Sequence, residues 1–127
     1  MLNPDLVGRT FEGATSTTIT AEAISAFAIA LGEPETQLAP PTFAITISLE
    51  QSQSLLEISG LDWSRVVHGD QRFLINRPLI AGSQITCNST IESARVVAVN
   101  EIVTVRSDLI ENDEVAVSTW STLVFRA

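Results

Sequence analysis

The stretch FAITISLEQSQSLLEI, residues 43–58, decides the fold of this 127-residue chain. Its first residues are β-branched, which favours a strand. Its length, together with the flanking Pro41 and Gly60, favours a helix instead. We therefore predict a long central helix over Phe43 to Ile58, with these apolar side chains set between serine, threonine and glutamine: Phe43, Ile45, Ile47, Leu49, Leu55, Leu56 and Ile58.

The residues before the central helix predict a shorter helix and a loop. Thr20 is a suitable N-cap for Ala21 to Leu31, which carries apolar residues on one helical face, and Gly32 ends that helix. Glu33 to Thr42 contains three prolines, which hold the backbone extended and predict a loop. Thr10 to Thr18 is rich in threonine and serine and predicts a short opening strand or an extended arm.

The residues after the central helix predict strands joined by short turns. Apolar and polar side chains alternate there, as in a strand with one buried face. Consecutive strands with short connections predict an antiparallel meander, and two helices with four or five such strands make an α+β domain. The predicted strands are Val66 to Asn76, Gln84 to Val99, Ile102 to Ile110 and Glu114 to Phe125, and the predicted turns are Arg77 to Ser83, Val99 to Glu101 and Asn112 to Asp113.

Length and composition indicate one domain over residues 1–127 that buries a subunit interface. The chain has the usual size of a single domain. Hydrophobic residues make up 45% and charged residues only 17%, which is little charge to cover a monomer. The net charge of −8 and the absence of lysine disfavour a nucleic acid or an anionic membrane as partner.

Cys87 is the only cysteine, so no intrachain disulfide is expected, and the usual Cys/His metal-ligand spacings are absent. A reducing, cytoplasmic setting fits a lone thiol, which we place in the core of an alternating strand. Residues 1–5 do not resemble a signal peptide, and no apolar stretch approaches the roughly 20 residues that span a bilayer. No metal or cofactor is expected.

Three motifs, in this order along the chain, resemble the MaoC-like dehydratase N-terminal family: APPTF at residues 39–43, VHGDQRF at 67–73 and RPLIAGS at 77–83. That family comprises hot-dog proteins related to the (R)-specific enoyl hydratases and to the mycobacterial hydroxyacyl dehydratase subunits. The resemblance covers nearly the whole chain. It implies a hot-dog fold, in which an antiparallel sheet wraps around the long central helix.

The resemblance implies reversible addition of water to a trans-2-enoyl thioester of coenzyme A or acyl carrier protein. Catalytic members carry an Asp and a His in a G-D-x-N-P-x-H segment just after the short helix. Residues 32–38 here read GEPETQL, so Glu33 replaces the Asp and Leu38 replaces the His. A leucine transfers no proton, so the dyad is broken. In this family the N-terminal-type half often lacks the dyad and pairs with a half that has it.

The start of the central helix is the candidate substrate-binding site. Backbone N–H groups around Thr42, Phe43 and Ala44, just after Pro41, could polarise a thioester carbonyl with help from the helix dipole. Any helix begins with such groups, so the binding role is a hypothesis. Gln71 is a further candidate, either as a contact to the substrate or as a buried amide that fixes a loop.

His68 is the only histidine, and histidine is the residue type most often used for acid–base chemistry near neutral pH. It could replace the missing dyad together with Asp70 or Glu33. The reading we favour is a strand histidine at the sheet surface or the subunit interface. Strict alternation along the strand predicts His68 on the same face as Asp70 and Arg72, with Gln71 on the apolar face.

Three functions remain open. The chain could be a subunit of an (R)-specific hydro-lyase that shapes the acyl channel beside a dyad-bearing hot-dog partner, which is the reading we prefer. It could be a self-sufficient homodimeric hydratase or thioesterase that uses Glu33, His68 or Asp70. It could also be a hot-dog protein that binds an acyl thioester without chemistry.

Overall fold

The computed structural model describes residues 2–13, 16–34 and 38–127 and has the predicted α+β architecture. Three-residue 3-10 turns at Pro4–Leu6 and Trp63–Arg65 precede the first and third strands. Residues 14 and 15 of the predicted arm and residues 35–37 of the predicted loop lie outside the described residues. The elements are β1 (Thr10–Glu12), β2 (Thr17–Thr18), α1 (Ala21–Leu31), α2 (Ile45–Ile58), β3 (Val66–Ile75), β4 (Gln84–Val97), β5 (Asn100–Glu111) and β6 (Glu114–Phe125).

Both predicted helices are present, and the central one starts two residues later than predicted. The Thr20 hydroxyl accepts a hydrogen bond from the Ala23 N–H at 3.0 Å and so caps α1. Before α2, the Phe43 N–H donates to the Pro40 carbonyl at 2.9 Å. Pro40 and Pro41 thus form a turn before the helical hydrogen bonds begin. Phe43 and Ala44 belong to that turn, and α2 begins at Ile45.

The strands β4, β5 and β6 form the predicted meander. The register pairs Val97 with Asn100 and Glu111 with Glu114, so each turn has two residues. Asn112 and Asp113 both have positive φ angles, which suits a tight hairpin. The first turn lies one to two residues earlier than predicted, because Asn100 already belongs to β5.

The predicted pairing of the first long strand with the next one is wrong. The sheet order is β1-β4-β5-β6-β3, so β3 pairs with β6 and β4 lies three positions away. The connection between them, residues 76–83, is long enough to cross from one side of the sheet to the other. On the way, the N–H groups of Asn76 and Arg77 donate to the Ala116 carbonyl. In this path β3 has one strand neighbour and is an edge strand.

Two apolar clusters fill the space between the helices and the sheet, and a row of hydroxyls separates them. Ser89, Ser107 and Thr119 are neighbours across the sheet, all fully buried, and we call them the hydroxyl row. The Ser89 and Ser107 Oγ atoms lie 2.8 Å apart. The first cluster contains Ile19, Ile24, Phe43, Ala44, Leu79, Ile85, Cys87, Leu109, Ala116 and Val117, and the second contains Leu2, Leu55, Leu56, Leu61, Ile91, Val103, Val105, Leu123 and Phe125.

Candidate functional site

The start of α2 adjoins an apolar cavity. Ala44 is 2% exposed and lines a cavity of about 170 Å³ together with Ile75 from the end of β3. Within the described part of the chain, no acceptor is bonded to the N–H of Ala44 or Thr42, whereas that of Phe43 is used in the Pro40 turn. None of the described residues that line the cavity is titratable; they are Ala39, Pro40, Pro41, Ala44, Ile75, Pro78, Leu79 and Val117.

This arrangement can hold an apolar chain and polarise a carbonyl, but it contains no group that transfers a proton. The N-terminal end of a helix carries partial positive charge, and N–H groups without partners are available to an oxygen ligand. Of the predicted substrate-binding residues, Pro41 and Ala44 line the cavity. Thr42 and Phe43 lie between them in the turn that precedes α2, so these four residues are brought together.

The residues at the two positions of the family dyad, Glu33 and Leu38, cannot act as an acid–base pair, because a leucine transfers no proton. Glu33 is exposed just after α1, and its N–H donates to the Ala28 carbonyl at 2.9 Å. Leu38 is 50% exposed and forms an antiparallel bridge with Ile80. Between the two lie residues 35–37, outside the described residues.

A β-bulge at Gly69 overturns the predicted alternation along β3. His68 pairs with Leu123 and Asp70 with Thr122, so Gly69 is an extra residue without a partner on β6. Leu123 faces the core, whereas Thr122 lies on the opposite face of the sheet. The bulge therefore turns His68 to the helix side of the sheet, and Asp70 stays on the outer side.

His68 is oriented by Gln71 rather than by the Asp70 carboxylate. Its Nε2 atom lies 2.9 Å from Gln71 Oε1 and 3.1 Å from the Asp70 carbonyl oxygen. Gln71 Oε1 also accepts a hydrogen bond from the Ser121 hydroxyl at 2.6 Å, and Ser121 is 2% exposed. A hydrogen-bonded chain therefore runs from the buried Ser121 through Gln71 to the exposed His68.

The predicted site residues thus form separate groups within one chain. Six strand positions along β3, with the bulge residue left out, separate His68 from Ile75, which corresponds to roughly 20 Å. The cavity at the start of α2 adjoins Ile75. His68 therefore does not reach the site at the start of its own helix, and it forms no side-chain pair with Asp70.

The sequence did not reveal the contributions of Ser121, Pro78 and Leu79, because these depend on how distant segments meet. A local signal existed for the bulge, since a glycine inside a strand pattern often marks one. Gly69 is that residue. The cavity wall had no such signal.

Cys87 and two arginines beside the candidate residues have structural surroundings that explain them. Cys87 is buried, and burial raises the pKa of its thiol. Arg77 forms ion pairs with Glu111 and Glu114, each at 3.3 Å. Arg72 stacks on Trp120, with its guanidinium carbon 5.1 Å from the ring centre.

Residues 2–13, 16–34 and 38–127 contain neither a cluster of metal-binding side chains nor a membrane-spanning helix. No group of three or more His, Cys, Asp or Glu side chains there is placed to hold a metal ion. No helix among them has both the length and the apolar character needed to cross a bilayer.

Comparison with solved structures supports the hot-dog fold. The chain resembles the C-terminally truncated HadBC (3R-hydroxyacyl-ACP dehydratase) complex of Mycobacterium tuberculosis with a TM-score of 0.80 and 24% identity, over 97% of this chain and 99% of that one. At this level of identity the likeness establishes the fold alone. The prediction of a long helix on an antiparallel hot-dog sheet is confirmed.

Sequence comparison extends the relationship to a family. A UPF0336 protein of Streptomyces coelicolor is 44% identical over 101 residues, which cover 77% of this chain and 67% of the relative. A UPF0336 protein of Streptomyces griseus is 35% identical over 144 aligned positions, which cover 99% of this chain and 96% of that relative. The family model described as FAS1-like, dehydratase domain region, matches residues 5–120. The predicted relationship to dehydratase hot-dog proteins is therefore confirmed, and the chain belongs to the FAS1-like dehydratase domain region family.

Proposed function

We propose that this chain is a single-domain subunit of an (R)-specific 3-hydroxyacyl-thioester dehydratase or enoyl hydratase. It shapes the acyl channel, and a second hot-dog subunit with an intact Asp/His dyad transfers the protons. The substrate is a thioester of coenzyme A or acyl carrier protein, and the setting is the cytoplasm. No metal or cofactor takes part.

The observation that carries this proposal is the composition of the cavity at the start of α2. Ala44 offers a backbone N–H without a described acceptor beside a wall of alanine, proline, leucine, isoleucine and valine. Such a wall suits an acyl chain, and the N–H suits the thioester oxygen, where negative charge develops during the reaction. The reaction also needs a base and an acid, and the cavity contains neither.

The position of β3 supports a protein partner. An edge strand presents unpaired backbone N–H and C=O groups, which pair readily with another strand. Its helix-side residues are also poorly covered: His68 and Ile75 are exposed, and Gln71 and Phe73 are half-buried. The solved relative in the structural comparison is a complex of two different subunits by its name, HadBC.

The first test is hydration of a short trans-2-enoyl-CoA, followed by loss of the conjugated thioester absorbance. We expect no turnover by this chain alone and turnover by its complex with a dyad-bearing hot-dog subunit. The turnover by that partner alone is the baseline with which the complex is compared. Turnover by this chain alone would contradict the proposal and support a self-sufficient homodimer, whereas binding of the thioester without turnover in any complex would support a purely binding role.

A substitution in the cavity sharpens this test. Ile75→Trp narrows the cavity from its exposed lip, and we expect it to lower kcat/KM of the complex by about tenfold, on the scale of a displaced reacting group. Val97→Trp is the matched control, because Val97 is a similarly exposed β-branched strand residue that does not line the cavity: 47% for Val97 and 41% for Ile75. Equal losses of kcat/KM in the two variants would show that the cavity has no role in the reaction.

A further inference from the structure

We propose that Leu109 limits the length of the acyl chain that this subunit accepts, because it separates the cavity at the start of α2 from a second, larger cavity. This inference rests on the proposed function and names its substrate class, thioesters of short acyl chains. Leu109 meets the end of the acyl chain rather than the thioester, so it determines specificity and takes no part in the chemistry.

The second cavity lies between α2 and the strands β1, β2 and β4. Its volume is about 420 Å³, whereas the cavity at the start of α2 has about 170 Å³. Two exposed carboxylates, those of Glu12 and Glu50, line the second cavity and repel the phosphates of coenzyme A. The second cavity therefore suits the apolar end of an acyl chain and not the head of the substrate. Its apolar lining residues are Phe11, Ile47, Leu55, Ile58, Ile85 and Cys87.

The register of the sheet places the two cavities at opposite ends of one row of residues. Ile75 on β3 pairs with Val117 on β6, and both line the cavity at the start of α2. At the other end of the row, Cys87 on β4 lines the second cavity. Leu109 on β5 pairs with Val117 on one side and with Cys87 on the other. Neighbouring strands lie about 4.8 Å apart, so roughly 10 Å separate Val117 from Cys87, with Leu109 between them.

Leu109 forms the wall between the two cavities. It is 0% exposed and is not among the described residues that line either cavity. It packs in the first apolar cluster, which also contains Ala44, Val117 and Cys87. On the helix, Ala44 borders one cavity and Ile47 borders the other. Residues three apart are neighbours on a helix surface, so the two cavities are also close to each other along α2.

The wall leaves only a small space for an acyl chain. Sites for drug-sized ligands have about 300–1,000 Å³, so a cavity of about 170 Å³ suits a short acyl group. A longer chain has to displace Leu109 within a closely packed core, which is unfavourable. Alanine at this position removes three carbon atoms from the wall, and a space of this kind in apolar surroundings stays dry and accepts apolar ligands. We therefore expect Leu109→Ala to join the two cavities.

The test measures binding of butanoyl-CoA and dodecanoyl-CoA to the isolated chain by isothermal titration calorimetry. These saturated thioesters bind without reacting. Each methylene that enters an apolar space strengthens binding about fourfold. Leu109→Ala should therefore bind dodecanoyl-CoA more than about tenfold more tightly than the wild type does, with a much smaller change for butanoyl-CoA. An equal ratio of the two dissociation constants in both proteins would overturn the inference, and so would a failure of both proteins to bind either thioester.

Three further variants separate the wall from general effects on the core. Leu109→Val removes less of the side chain and should shift the ratio in the same direction by a smaller amount, so it decides the question if Leu109→Ala does not fold. Leu109→Ala/Cys87→Leu fills the far end of the opening and should return the ratio toward the wild-type value. Leu123→Ala is the matched control, because Leu123 is a strand leucine, 1% exposed, in the second cluster. A shift in this control as large as in Leu109→Ala would overturn the inference.

Turnover by the complex with a dyad-bearing subunit separates this inference from the proposed function. In that complex Leu109→Ala should raise kcat/KM for trans-2-dodecenoyl-CoA relative to trans-2-butenoyl-CoA. An active complex whose chain-length preference does not change would overturn the role of Leu109 and leave the proposed function standing. An inactive complex, with the shift still present in binding to the isolated chain, would overturn the proposed function and support Leu109 as the limit on chain length.

Discussion

The strands under α2 and the edge strand β3 belong to one sheet but differ in how they are covered. Helix-side residues of β4, β5 and β6, such as Ile91, Val105 and Leu123, are at most 1% exposed. On β3 the helix-side residues His68 and Ile75 remain exposed. The helix covers the middle of the sheet and leaves its edge uncovered. The single chain therefore has a complete core, but the helix side of its edge strand is exposed.

The largest expected effect belongs to the covered strands and their helix. Leu56 on α2 is 0% exposed, and we expect Leu56→Ala to lower the free energy of unfolding by about 2–5 kcal/mol, since it leaves a cavity. Leu74→Ala on β3, where the side chain is 53% exposed, should change it by less than about 0.5 kcal/mol. Urea denaturation of the isolated chain measures both, and similar losses would remove the contrast between the two regions.

A smaller effect is expected in the hydroxyl row. Ser107→Ala leaves the buried Ser89 hydroxyl without its 2.8 Å partner, which should cost about 1–3 kcal/mol. The double variant Ser89→Ala/Ser107→Ala should cost less than the sum of the single ones, because no polar group is then stranded. Ser54→Ala, at an exposed position of α2, is the control. Additive losses in urea denaturation would mean that the two hydroxyls are independent.

On β3 we expect substitutions to act on association rather than on folding. Asp70→Arg reverses an exposed charge on this edge strand and should weaken the complex about tenfold, with a change of less than about 0.5 kcal/mol in the stability of the single chain. Arg72→Lys keeps the charge and is the matched control. Sedimentation of the complex at two salt concentrations measures this, and a salt-independent loss would argue against an electrostatic contribution of Asp70 to association.

The smallest effect concerns Cys87 under the helix. Because burial raises the pKa of its thiol, the unfolded chain releases the proton first as the pH rises. Stability from this group is full below about pH 8.5, the usual value for a free thiol, and declines above it. Cys87→Ala should remove that part of the slope. A native thiol that reacts quickly with a thiol reagent at pH 8 would contradict the burial.

The sequence predicted the elements whose signals are local. α1 has a capping threonine and a terminal glycine, and β6 has regular alternation, so the predicted bounds of both match the structure. The start of α2 was two residues off, because the turn at Pro40 consumes residues that also fit a helix. Boundaries depend on such competition between nearby hydrogen bonds.

Non-local arrangement was harder to predict. Alternation gives no information about which strand lies next to which. Chain order alone therefore predicts a meander that includes β3, whereas β3 pairs with β6. One extra residue, Gly69, then reversed the face of His68. At the candidate site, Pro41 and Ala44 could be named from the sequence, whereas the cavity wall from residues 75–79 and the support of His68 by Ser121 arise only from the folded topology.

The buried serines of α2 restrict the position of this helix along its own axis. Ser48 and Ser52 are the buried serines of this helix, between the apolar residues that serve the two clusters. Sliding the helix by one turn, 5.4 Å, would bring Leu56 to the place of Ser52 and force a larger side chain into space that now holds a serine. An interface made only of apolar side chains would tolerate several such offsets. The two serines therefore favour one position of the helix, which keeps Ala44 in the wall of the cavity.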